Sequence, residues 1–107
     1  MLPRKHRLTR KEITKIKESR SHILQGRFFG LVFQPYPNEQ KFGLIISNKI
    51  SKKAVERNRV KRLLMAVVKE EFGGKEGKFL FLAKKSSLAG TREDFIKEME
   101  EFERKIK

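Results

Sequence analysis

Lys52-Lys53-Ala54-Val55-Glu56-Arg57-Asn58-Arg59-Val60-Lys61-Arg62-Leu63-Leu64 carries six lysines or arginines against the single acid Glu56, and no Gly or Pro interrupts it. Beyond Val60 the apolar residues Leu63, Leu64, Val67, Val68 and Phe72 recur at three- and four-residue spacing, which sets one stripe of a helix against a core. The spacing predicts a helix from about Ala54 to Phe72. At about 100° per residue, Val60, Leu63, Leu64 and Val67 share one arc with Val68 and Phe72 on its flank, while Asn58, Arg62 and Lys69 lie on the far side. Arg59 occupies an adjacent flank, and Arg57 projects nearer the apolar arc from the first turn. A cationic ridge is carried on a buried stem. Solvated helix faces usually mix signs so that charges pair at i,i+4. This one does not.

The rest of the chain repeats the asymmetry. Residues 1–62 hold 17 basic and 4 acidic side chains (+13), and residues 63–107 hold 10 and 9 (+1), which together make the net charge of +14. A surface built for heat stability would interleave Lys and Glu throughout; confinement to one half is the footprint of a polyanion-binding face. With 107 residues the chain makes one domain, 1–107, with a modest core. The absence of cysteine excludes disulfides, zinc–thiolate sites and thiol catalysis. His6 and His22 stand far apart in basic surroundings, so no protein-held metal is expected. No apolar run approaches the ~20 residues of a membrane span, and no apolar segment follows Met1–Lys5 as it does in a secretory signal. The simplest placement is cytoplasmic, with no membrane partner.

Residues 1–7 form a basic arm. Thr9 is an N-cap, Glu12 completes its capping box, and Leu8 and Ile13 occupy the positions of a hydrophobic staple, so a helix begins here, continues through Ile16 and ends near Ser19–Ser21. Residues 27–34 and 41–47 read as strands joined by the turn Pro35–Glu39, and together as a hairpin. Phe29, Leu31 and Phe33 alternate with Phe28, Gly30 and Val32, so one face is expected to pack on helices and the other to remain an open aromatic surface. A short extra strand is possible between Asn48 and Ser51. Gly73, Gly74 and Gly77 end the long helix. Lys78–Lys84, apolar at every interior position, reads as a central strand covered on both faces. Thr91 and Asp94 open a last helix with Phe95, Met99, Phe102 and Ile106 on its packing side. The order predicts an α+β sandwich, α-β-β-(β)-α-β-α.

Ser47-Asn48-Lys49, Lys52-Lys53-Ala54 and Glu56-Arg57-Asn58-Arg59-Val60-Lys61-Arg62-Leu63 together resemble the signature of the bacterial ribonuclease P protein subunit. Arg7-Leu8 before the first helix, Gly43 in the second strand and Ala83-Lys84-Lys85 closing the last strand follow in the family's order, so the resemblance covers essentially the whole chain. It implies a ribosomal protein S5 domain 2-like fold with a left-handed βαβ crossover, against the usual preference. It also implies an enzyme subunit whose chemistry belongs to a partner RNA with bound Mg2+. That ribonucleoprotein removes the 5′ leader of precursor tRNA, without an obligate protein partner. Carried over residue by residue, Arg57, Asn58, Arg59, Lys61 and Arg62, with Lys49, Lys52 and Lys53 leading in, are expected at the catalytic RNA. Arg7, Ile13, Ile16, Lys17, Phe28 and Phe29 are expected at the leader. Two departures stand out: Ile13, and Ile16 or Lys17, replace first-helix aromatics, and Asn48 replaces the first of a Lys-Lys pair.

No Ser/His/Asp or paired-acid constellation is present, so no autonomous protein active site is expected. Glu12 reads as a cap, and Glu100, Glu101 and Glu103 as a salt-paired outer face. A ribosomal-protein-like structural RNA binder shares the charge and fold class, and only the motif run separates it from a processing subunit. A DNA-reading helix would need a helix-turn-helix partner that Gly73 and the following strand do not provide.

Overall fold

The computed structural model describes residues 7–18, 22–36, 38–47, 49–72 and 76–106. Its elements run α1 (Arg10–Glu18), β1 (His22–Gln25), β2 (Phe29–Gln34), β3 (Gln40–Ile45), α2 (Ala54–Glu71), β4 (Gly77–Ala83), a 3-10 turn (Lys85–Ala89) and α3 (Arg92–Ile106). The expected helix-rich sandwich is present. The basic arm before Arg7 lies outside the described residues, as does Asn48.

Both capping boxes form. The Thr9 amide donates to Glu12 Oε1 at 3.1 Å and the Glu12 amide to Thr9 Oγ1 at 3.2 Å. The Thr91 amide donates to Asp94 Oδ2 at 2.9 Å and the Asp94 amide to Thr91 Oγ1 at 3.2 Å, and these bonds hold the Asp94 carboxyl below its usual range.

The sheet order is β1-β2-β4-β3, which corrects the expected hairpin. β4 pairs antiparallel with β2, from Phe29 opposite Ala83 to Gln34 opposite Lys78, and parallel with β3, from Gln40 opposite Gly77 to Ile45 opposite Leu82. β2 and β3 do run in opposite directions, but β4 lies between them. The turn after β2 bridges two strand spacings, roughly 10 Å, which five residues span easily. The Gly77 amide donates to the Glu39 carbonyl at 2.6 Å where β4 enters this gap. Gly77 has φ +135°, and a Cβ there would lie 2.8 Å from Phe33, so the entry suits only glycine. β2 and β4, the strands with the most buried residues, take the two interior positions, and the less buried β1 and β3 take the edges. β3, α2 and β4 form the crossover unit. The extra strand is β1, ahead of β2; the described residues 49–51 of the link hold none.

α2 and α3 cover one face. Phe29, Phe33, Phe42, Phe79 and Phe81 all point to it and meet Phe72, Phe95 and Phe102. Phe79 is the hub, with ring centroids 5.0 Å from Phe33, 5.2 Å from Phe42 and 5.2 Å from Phe72. Such pairs add about 0.5–1.5 kcal/mol each beyond burial. The opposite face is aliphatic: Ile16 of α1 is buried with Val32 and Leu80, and Leu8, Ile13, Ile45 and Leu82 pack around them. The expected open aromatic surface is therefore absent among the described residues. Alternation sends every sheet phenylalanine to the α2/α3 side, and α1 rests on the other.

Glu12 also fixes α1 to the sheet. Its carboxylate lies 3.0 Å from Lys41 Nζ on β3 and 3.4 Å from Lys78 Nζ on β4. Burial pushes the carboxyl up, but Lys41 and the Thr9 amide and hydroxyl outweigh it and hold the pKa at about 2. A depressed carboxyl stabilises the fold above the ordinary value of 4.5 and loses that contribution as pH falls toward 2. Solvent screening leaves the effect near ~1 kcal/mol. The stability gap between parent and Glu12→Gln, read by urea unfolding, should be constant at pH 5–7 and close progressively below about 4.5. A pH-independent gap would show that only the cap matters.

Candidate nucleic-acid interface

α2 is anchored by its buried Val60, Leu64, Val67 and Val68. Lys53 is the N-cap residue, with no side-chain capping bond of its own. Ser51 substitutes for one: its Oγ accepts from the Lys53 amide at 3.2 Å and donates to Glu56 Oε1 at 2.7 Å. Lys49, Lys52, Lys53, Asn58, Arg59, Lys61 and Arg62 are exposed, and Arg57 is half-buried. The eight residues expected at an RNA thus occupy the N-terminal half of one helix and the turn that feeds it. Asn58, Arg59 and Arg62 form its outward ridge; Arg57 and Lys61, four residues apart, form a second row.

The two arginines of the Arg-Asn-Arg motif are held in place. Arg57 Nη1 donates to the Ser51 carbonyl at 2.7 Å. Arg59 Nη2 donates to the Leu88 carbonyl in the 3-10 turn. A guanidinium has five N–H donors in a rigid plane, so each bond orients the fork and leaves other donors free. Among the described residues the salt bridges are Lys41–Glu12, Lys78–Glu12 and Arg92–Glu70, and none includes a cation of residues 49–62. Lys52, Lys53 and Arg57 also stand at the positive end of the helix dipole, where cations are disfavoured by a few tenths of a kcal/mol each. The acids sit at the other end: burial and the neighbouring Glu103 and Glu100 push the Glu71 carboxyl up.

The residues expected at a leader are divided by the fold. Arg7 is exposed and bridges to Phe42 at the β3 edge. Ile13 is half-buried, and the Lys17 side chain lies outside the described residues. Ile16, at 1% exposure, is committed to the core beneath α1. Phe28 and Phe29 are corrected too: they are 8% and 0% exposed, with rings 5.6 and 4.8 Å from Phe95. Rings packed against α3 present no face to a base.

Sequence reasoning passed over Glu98. It is a buried carboxylate, 5% exposed, whose oxygens accept from the amides of Arg27, of Phe28 at 3.0 and 3.1 Å, and of Phe29 at 2.8 Å. A signal was available. Glu98 falls between Phe95 and Phe102 at three- and four-residue spacing, on the packing side of α3.

A family model described as Ribonuclease P matches residues 2–107. The chain belongs to the ribonuclease P protein family. It is 33% identical over 72 residues to the ribonuclease P protein component of a Pseudanabaena species, covering 65% of this chain and 62% of that one. Over 34 residues it is 56% identical to the Microcystis aeruginosa component, covering 32% and 28%. These stretches span less than two thirds of either curated relative. The ribonuclease P protein fold is shared with solved structures. The Staphylococcus aureus RNase P protein aligns with a TM-score of 0.80 at 18% identity, over 95% of each chain. The Thermotoga maritima protein aligns at 0.81 and 18%, over 94% of this chain and 97% of that one. Fold persists at this identity because the buried pattern, not the surface, specifies it.

Proposed function

We propose that this chain is the protein subunit of a tRNA 5′-processing ribonucleoprotein. It binds the catalytic RNA through the N-terminal half of α2 and helps hold the 5′ leader of precursor tRNA while the RNA performs the hydrolysis. The observation that carries this reading is the row of cations that form no salt bridge among the described residues, gathered in the N-terminal half of one helix and the turn before it. Such a row costs stability in isolation and gains it when phosphates arrive. Family membership supports the RNA of ribonuclease P as the partner; in this reading the complex works in the cytoplasm and requires no further protein.

The protein's contribution is electrostatic. Anchored guanidinium forks and exposed lysines neutralise phosphates where two RNAs approach, which lowers the magnesium needed to bring them together. Among the described residues no three carboxylates or imidazoles gather as a metal site, and the cationic face does not fit a magnesium ion, so the RNA is its holder in this reading. Among the described residues expected at the leader, Arg7 and Ile13 retain exposed surface. Among the described residues no helix is long and apolar enough to cross a membrane.

The test is multiple-turnover cleavage of precursor tRNA by a bacterial ribonuclease P RNA at low magnesium, with and without this protein. The expected result is stimulation that requires the 5′ leader. Tight, salt-sensitive RNA binding without stimulation by any of several bacterial ribonuclease P RNAs would instead indicate a purely structural binder.

A further inference from the structure

α2 is apolar on two sides, and only one is covered. Val55, Asn58, Arg59, Arg62, Leu63 and Ala66 line an open groove of about 700 Å³ along the helix. Their spacing of three and four residues centres the stripe on the side opposite Val60, Leu64, Val67 and Val68. Val55 is 80% exposed, Ala66 is exposed and Leu63 is half-buried. A single exposed valine needs no explanation. An aliphatic floor walled by two arginines and an asparagine, inside the most cationic part of the chain, does.

We propose that this groove seats one unpaired nucleotide of the RNA partner, with its base on Val55, Leu63 and Ala66 and its flanking phosphates on Arg59 and Arg62. The inference rests on the RNA-binding reading above and adds an apolar base contact to it. Charge complementarity selects a polyanion, and a duplex backbone offers only phosphates and sugars, for which an aliphatic floor has no use. A splayed base has an apolar face that needs covering, and single-stranded recognition covers it with side chains. Asn58 adds an amide that can both donate and accept at a base edge. The bond from Arg59 to the Leu88 carbonyl fixes that arginine as a wall.

Salt dependence separates base from phosphate contacts, because the slope of log K against log salt counts neutralised phosphates alone. Val55→Ser removes floor without altering charge, and Ala66→Gln fills the groove; both positions are exposed, so folding is retained. Each variant is expected to bind a bacterial ribonuclease P RNA about fivefold more weakly, on a line parallel to that of the parent. The chain has no cysteine, so Val55→Cys carrying a photoreactive thiol label gives a clean crosslink, expected at an unpaired nucleotide. Unchanged affinity in both variants, with the parent's steep slope intact, would overturn the groove while leaving the RNA-binding reading standing. So would a shallower slope, a crosslink confined to duplex, or a change in self-association alone. Failure of the parent itself to bind the RNA would remove both.

Discussion

Glu98→Ala is expected to lower stability by about 3 kcal/mol, because the buried amides of Phe28 and Phe29 and the partly buried amide of Arg27 lose their acceptor at once, and each unsatisfied buried group costs about 1–3 kcal/mol. Gly26 and Glu98 are matched: a Cβ at Gly26 would stand 2.6 Å from the carboxylate, so glycine lets the acid reach the chain. The same segment is tied to the loop after β4. The Lys84 amide donates to the Phe28 carbonyl at 2.9 Å, Lys84 Nζ to the Gly26 carbonyl at 2.6 Å and Ser86 Oγ to the Arg27 carbonyl at 2.6 Å. Water cannot readily replace the lost acceptor at a residue this enclosed. For a domain of this size the loss corresponds to a fall in melting temperature of roughly 15 °C. Glu98→Gln tests the chemistry: its amide keeps one acceptor but turns a donor toward other donors, so it should recover less than half of the loss. Urea unfolding of both variants decides the matter. A cost below about 1 kcal/mol would mean that the amides find other partners.

The second large effect is on binding. The double variant Arg57→Ala, Arg59→Ala should bind a ribonuclease P RNA about 100-fold more weakly near physiological salt, since two charge-assisted contacts at about 1.5 kcal/mol each are lost. Its salt slope should be shallower by about 1.5. The folded state should lose no core packing, only the bonds to the Ser51 and Leu88 carbonyls, about 1 kcal/mol each. Arg57→Lys, Arg59→Lys is the informative companion. Lysine restores charge, and with it the slope, but one ammonium cannot hold the Ser51 or Leu88 carbonyl and also offer a planar fork to a phosphate. Affinity should therefore return only in part. Full recovery by lysine would show that the carbonyl anchors are incidental; an unchanged double alanine variant would move the interface off this helix.

Much of the candidate interface was legible because it is local. The positions of Asn58, Arg59 and Arg62 follow from helical spacing, and their exposure follows from lying away from Val60, Leu64 and Val67, whereas Arg57, nearer that apolar arc, is half-buried. The burial of Phe28, Phe29 and Ile16, expected at a leader, was not legible, since such residues are as suited to a core as to a platform, and only the placement of α1 and α3 decides between these. Val55 went unread because one exposed aliphatic residue in a basic run carries no periodic signal.

The sequence by itself determined the helix starts at Thr9 and Thr91, the two-sided character of α2 and the fully covered state of β4, all properties of a few consecutive residues and their hydrogen bonds. Tertiary structure alone decided that β4 divides β2 from β3, that β1 completes the edge, and that Glu98 is held in the core. Strand order is settled by which faces gain most from burial, and a turn as short as Pro35–Glu39 closes equally well around a neighbouring strand or a gap. β1 has four residues, of which only Leu24 is not exposed, so it exists because β2 offers it a backbone edge. Glu98 is charged in sequence and buried in space because its partners, the amides of Arg27 to Phe29, lie about 70 residues away.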